Sequence, residues 1–184
     1  SQSTLVNIGK AGLIHGLGRA AISNHVWNTA GPLPYGTSER VQLVPYWTQR
    51  ALKPISELDG CAEIAAHAYE RLDGSGYFRG ASASALRPEH RLLAAAVAWV
   101  ALRGSRPWRP AYGELEAAKL LKQDADRGLF DTGACEAVIA AARGERTLAQ
   151  ARGAVLSERE CRILLEISRG ASNKQVARML DISP

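Results

Sequence analysis

Residues 67–80 read HAYERLDGSGYFRG, a polar, glycine-rich stretch set between two alanine-rich helical patterns. Gly74 and Gly76 favour open or left-handed backbone, and the preceding apolar run stops at Leu72, so a helix entering here cannot continue. The stretch is a loop at a helix end. The helix leading into it is predicted over 59–72, with Cys61, Ile64, Ala65, Ala68 and Leu72 as its apolar stripe. Glycine and acid held between helices suit a ligand or metal loop, although on composition alone most glycine-rich turns are only tight connectors.

Working outward, further helices are predicted over 4–17, from Thr37 or Ser38 to 53, and over 88–104, 112–127 and 132–142. Pro45 should kink or break the second of these, and Thr37 or Ser38 should cap its start. Pro88 suits a first helical position, and the helix behind it is apolar nearly all round after Arg91, which predicts the most buried helix of the chain. Residues 22–34, with Trp27, Gly31, Pro32 and Pro34, should be irregular and held by Trp27. The pattern is all-α.

A chain of 184 residues that is 46% hydrophobic can bury the core of one moderate domain and carry a small appendage. Its apolar runs are too short to cross a bilayer and its start carries no secretion signal, which points to the cytoplasm and no membrane. Cys61, Cys135 and Cys161 have neither disulfide nor zinc-site spacing and read as idle or buried thiols. The net charge of +5 argues only weakly for a polyanionic partner, but from Arg143 onward eight basic residues face five acidic ones, leaving +3 there. A nucleic acid, if bound, is bound at that end.

ERLDGSGY, followed by Arg79 and Gly80, resembles the signature of HD-GYP domains, in which paired histidines precede the Glu-Arg and a proline follows the tyrosine. Asp73, Gly74, Ser75, Gly76, Tyr77 and Arg79 keep that loop; Ala68 and Tyr69 stand in place of the histidines and Phe78 in place of the proline. LIHGLGR, residues 13–19, is similar to the family's Leu-Leu-His-Asp-Ile-Gly-Lys, with His15 kept, Gly16 for the aspartate and Arg19 for the lysine. Val44 takes the place of the third metal ligand and Trp99 that of the last. RPWRP, residues 106–110, continues the likeness.

The resemblance implies an HD-domain-like helical bundle. It also implies which positions would bind the metals used to hydrolyse cyclic dinucleotides: His15, Gly16, Val44, Ala68, Tyr69 and Trp99, of which one is a competent ligand. A lone histidine on an apolar helix is more often a satisfied core residue than a ligand. His67 lies one position early, about 100° round the expected helix, and is set aside. The expectation is a vestigial site with no cofactor and no catalytic residue: a pseudoenzyme serving as a sensory or protein-interaction module, with Val44, Tyr69 and Trp99 filling an apolar cluster beside His15. The alternative is a metal-dependent cyclic-di-GMP phosphodiesterase with an altered site built from Asp73, His67 and His15.

Residues 156–184 read LSERECRILLEISRGASNKQVARMLDISP, with Ser157 and Glu160 as a capping box and Gly170 ending the first helix. They resemble the first half of the helix-turn-helix of LuxR-type regulators. That likeness implies DNA as the partner of a full-length protein truncated here at both ends, with Asn173 and Lys174 at a helix start placed for phosphate contacts. The expected organisation is an HD-GYP-like domain over 1–143, a linker over 144–155 and a partial helix-turn-helix over 156–184. A transcription regulator of this kind leaves room for a homodimer, and for a protein or a cyclic dinucleotide as partner of the first domain.

Overall fold

The computed structural model describes residues 2–144. Among them the regular elements are helices: α1 (Gln2–Ile14), α2 (Asn24–Trp27), α3 (Tyr35–Gln42), α4 (Val44–Leu52), α5 (Asp59–Ala65), α6 (Pro88–Arg103), α7 (Glu114–Asp126) and α8 (Thr132–Ala142), with 3-10 turns at Leu17–Ala21 and Ser56–Leu58. The all-α expectation holds. Residues 145–184, with the predicted linker, Cys161, Asn173 and Lys174, lie outside the described residues.

The bundle is organised about α6, which Pro88 opens at its first turn. Leu93 and Val97, one turn apart, face α1 and α5, where Ala11, Cys61, Ile64 and Ala65 are buried, and Ala68 in the turn after α5 joins them. Ala95 and Trp99 lie about 200° round the helix and face α7 and α8, where Ala117, Leu121, Cys135 and Ile139 close a second cluster. Leu121 is fully buried, and truncating such a residue to alanine costs about 2–5 kcal/mol. The apolar circumference of α6, which pointed to the most buried helix of the chain, is not all used: Val100 is 68% exposed, because the two packing faces take only part of it.

Two helix ends fall earlier than the apolar pattern suggests, and both matter for the site. α1 stops at Ile14, and Gly16 then precedes the 3-10 turn that carries Arg19. A Cβ on Gly18 would lie 2.1 Å from the Val44 carbonyl oxygen, so glycine lets this turn press against α4. Buried Thr48 ties the two together, donating to the His15 carbonyl at 3.0 Å and accepting from the Gly18 N–H at 2.9 Å. α5 stops at Ala65 instead of Leu72, and residues 66–69 form turns. The break near Pro45 is present as the junction of α3 and α4, but Pro34 occupies the cap position of α3, so neither Thr37 nor Ser38 caps it. The segment expected to be irregular around Trp27 contains α2, capped by the Ser23 hydroxyl.

Candidate metal centre and cavity

The loop after α5 is held by its own acid. Glu70, 1% exposed, accepts the backbone N–H groups of Arg79 and Ala81, each at 2.9 Å, which folds the glycine-rich segment back on itself. Gly76 is required there, since a Cβ would meet the Arg71 nitrogen and the Glu70 Cα at 2.4 Å, and Gly74 and Gly80 take positive φ. Asp73 accepts from the Ser75 N–H at 2.9 Å, and this hydrogen bond holds its carboxyl below the usual carboxylate range. Arg79 donates to the Ala66 carbonyl and to Gln49. Of the signature residues, Tyr77 turns into a cavity, stacking on Tyr69 at 5.2 Å; burial first, then the Tyr69 phenol, pushes its hydroxyl up to about 12.

That cavity, about 800 Å³, lies where the HD-GYP resemblance places the metals. Val44, Ala68 and Tyr69 line it, together with Arg19, Trp27 and Arg106. Burial raises the Tyr69 pKa against the pull of Arg19, which hydrogen-bonds its side chain. His15 stays on the α1 side, donating from Nδ1 to the Gly12 carbonyl at 2.8 Å with its ring 6.0 Å from that of Tyr69. Trp99 does not join them. α6 faces this wall with Ala94, Val97, Ala98 and Ala101; residues 97 and 99 point to nearly opposite sides of the helix, and Trp99 fills the α7–α8 cluster.

Metal-ligating side chains converge elsewhere. Glu63 on α5, His67 in the turn after it and His90 at the start of α6 bring one ligand atom each within 4.8 Å of the others. Glu63 Oε1 lies 3.5 Å from His67 Nδ1, Glu63 Oε2 lies 3.0 Å from His90 Nε2, and the imidazoles stack at 4.2 Å. His67 Nδ1 donates to the Glu63 carbonyl at 2.9 Å, which leaves the lone pair of the neutral ring on Nε2. Burial lowers the His67 pKa, aided by the positive influence of His90 and Arg79, so the neutral form that binds metals is favoured.

The donor set fits a divalent transition metal: one carboxylate and two imidazoles form a recognised catalytic combination. Three ligands around one ion at about 2.1 Å stand about 3.5 Å apart, so atoms that lie within 4.8 Å of one another close onto an ion by approaching by about 1 Å. Arg87 stands in the way. Its guanidinium pairs with Glu63 Oε2 and approaches His90 Nε2 at 3.2 Å, while its backbone N–H donates to His90 Nδ1 at 3.3 Å. A metal taking His90 Nε2 displaces both a proton and that guanidinium. None of the three ligands lines the cavity, but His67 precedes Ala68 and His90 stands one helical turn before Ala94, both of which do.

A family model described as the HD domain matches residues 1–133. The chain belongs to the HD domain family. A second model, for bacterial regulatory proteins of the luxR family, matches residues 154–184. Similar curated proteins include two from Vibrio cholerae serotype O1. The first, named 3'3'-cGAMP-specific phosphodiesterase 3, is 27% identical over 124 residues, covering 67% of this chain and 27% of that protein. The second, 3'3'-cGAMP-specific phosphodiesterase 1, is 25% identical over 128 residues, covering 70% of this chain and 30% of that protein. The chain thus spans under a third of the length of either relative.

The inactive, metal-free reading of this HD domain is overturned by the Glu63, His67 and His90 cluster. Only one of the motif positions carries a competent ligand, and the turn of about 100° that sets His67 aside holds only on a continuous helix, whereas α5 ends at Ala65. The altered site imagined from His15, His67 and Asp73 is also corrected: only His67 takes part, since His15 is turned to its own helix and Asp73 is exposed on the loop. Glu63 and His90 were missed. The spacing of Glu63 and His67, four residues apart, was the available signal, since it puts both on one helical face. Among the described residues no helix is long and apolar enough to cross a membrane.

Proposed function

We propose that this HD domain is a metal-dependent phosphodiesterase of the HD-GYP type acting on cyclic dinucleotides, with its metal held by Glu63, His67 and His90 instead of the motif positions. The observation that carries the reading is the convergence of those three ligands. The similarity to proteins named as 3'3'-cGAMP-specific phosphodiesterases supports the substrate class. A divalent ion in such a site supplies Lewis-acid polarisation of a phosphoryl oxygen and a bound water of lowered pKa. The chain's own part is to favour the neutral form of His67, to place the Glu63 carboxylate between the two rings, and to offer arginines to the phosphates from the cavity.

The match of residues 154–184 to luxR-family regulators supports a DNA-binding unit behind the catalytic one. In this organisation residues 1–143 hydrolyse, 144–155 link and 156–184 bind DNA, with Asn173 and Lys174 on phosphates. The deciding experiment is hydrolysis of 3'3'-cGAMP and cyclic di-GMP by the full chain loaded with manganese, iron or nickel. Metal-dependent formation of linear dinucleotide, lost in His67→Ala and His90→Ala, is expected. Absence of turnover with every metal, or turnover indifferent to both substitutions, overturns the proposal.

A further inference from the structure

Arg87 blocks the cluster, yet its surroundings keep it close once an ion takes its place. Its guanidinium pairs with Glu63 Oε2 and lies 3.2 Å from His90 Nε2, so a positive group already stands against two ligand atoms. On its other side Nε lies 3.0 Å from Glu89 Oε1, a carboxylate outside the ligand set. The main chain is fixed as well, because Arg87 stands at the cap position of α6 and its backbone N–H donates to His90 Nδ1 at 3.3 Å. Ligation through Glu63 and His90 therefore frees the guanidinium from two partners and leaves it tethered to Glu89 at the edge of the site.

Exposure fixes the side from which a solute meets that group. The rings of His67 and His90 are covered, whereas the side chains of Glu63 and Arg87 are 40% and 55% exposed, so the cluster opens to solvent along this pair. Arg79, the other guanidinium that acts on His67, is committed to the Ala66 carbonyl and to Gln49. The arginines of the cavity lining do not include Arg87. Charge then selects the partner. Without an ion, the Glu63 and Glu89 carboxylates outnumber the guanidinium between them, and an anion is repelled. A divalent ion among neutral imidazoles turns that surplus into one net positive charge, which the single negative charge of a phosphodiester balances. Guanidinium also suits phosphoryl oxygens in shape, with N–H donors set in a fixed fork.

We propose that Arg87 binds the reacting phosphate at this centre. With no ion bound, its guanidinium closes the cluster; with one bound, it turns from Glu63 and His90 to a phosphoryl oxygen while Glu89 retains it. Anion binding here then requires the ion first. The inference rests on the proposed function for the metal centre and for the choice of a phosphodiester as the anion.

The test uses the full chain loaded with cobalt(II), whose visible absorption reports the groups around the ion and is blind to phosphate held elsewhere. Titration with inorganic phosphate and with dimethyl phosphate should change that absorption saturably in the parent chain. Arg87→Met should keep the cobalt bands, which shows that it folds and loads, and should weaken both responses at least tenfold. Arg87→Lys keeps the charge without the fork and should lose less. Intact bands with no anion response in the parent, or equal responses in the parent and Arg87→Met, overturn the inference. The failures are separable. Anion responses that depend on Arg87, with no turnover of any cyclic dinucleotide, sink the phosphodiesterase alone; turnover with responses indifferent to Arg87→Met sinks this inference alone; and absence of cobalt bands in the parent removes the metal centre and both readings with it.

Discussion

The cavity and the Glu63, His67 and His90 cluster sit on the same two stretches of chain, the turn after α5 and the first half of α6, and their chemistries are opposite. The cavity is roomy, apolar and positively charged, and the side chains at the motif positions on its wall, Val44, Ala68 and Tyr69, lack a metal-binding group suited to a divalent ion. The cluster is narrow, gathers two imidazoles and a carboxylate, and is closed by Arg87. The difference teaches that a domain can lose ligands at its motif positions and still bring metal-ligating side chains together a step away. A single step along the chain, from Ala68 to His67, moves a side chain from one environment to the other.

The sharpest way to break this contrast is to remove a ligand. His67→Ala and His90→Ala should each reduce bound manganese from stoichiometric to a trace and cut phosphodiester turnover by roughly a hundredfold or more, as measured by elemental analysis and product chromatography. Retained metal in both variants would put the ion elsewhere. Next in size is the acid that shapes the cavity wall. Glu70→Ala leaves the N–H groups of Arg79 and Ala81 without their acceptor, each costing about 1–3 kcal/mol, so the melting temperature should fall by several degrees and nucleotide affinity with it. Metal affinity should change much less, and an equal loss of both would mean that cavity and cluster are one unit.

Arg87 offers a gain rather than a loss. Because its guanidinium competes with an ion for Glu63 and His90, Arg87→Ala should raise cobalt affinity by about tenfold, read from the visible absorption of the bound ion, an effect of about 1.4 kcal/mol. A fall in affinity would show that Arg87 organises the ligands instead of blocking them. The smallest effect is in pH. Burial lowers the His67 pKa below its unfolded value of about 6.5, so the unfolded state takes up the proton first as pH falls. The stability from keeping this ring neutral is fully present above about 6.5 and is lost as pH falls through the lower folded value. Denaturant titrations from pH 7.5 to 5 should therefore give a shallower slope in His67→Gln than in the parent chain.

Much of the backbone was legible because its causes are local. Thr132 to Ala142 reads as a helix and is one, Pro88 opens α6, the chain breaks before Pro45, and the central stretch is a glycine-rich loop with Gly74 and Gly80 at positive φ. These outcomes follow from the missing N–H of proline, the freedom of glycine and apolar spacing, all of which act within a few residues. Where α5 stops was not legible, because Ala66 to Ala68 have good helical propensity and are turned aside by the Glu70 anchor to Arg79 and Ala81, which lie nine and eleven residues on.

What the sequence by itself determined is the all-α class, the order of helices and breaks, and the glycine-rich loop. It also supplied the HD-type likeness that the match over residues 1–133 bears out. Only the tertiary structure decided where chemistry can occur. It turned Trp99 away from the cavity and Val97 toward it, because α6 presents opposite faces to two different clusters. It also carried His90 across 27 residues of chain to Glu63, a meeting set by how α5 and α6 pack and by nothing within either segment alone.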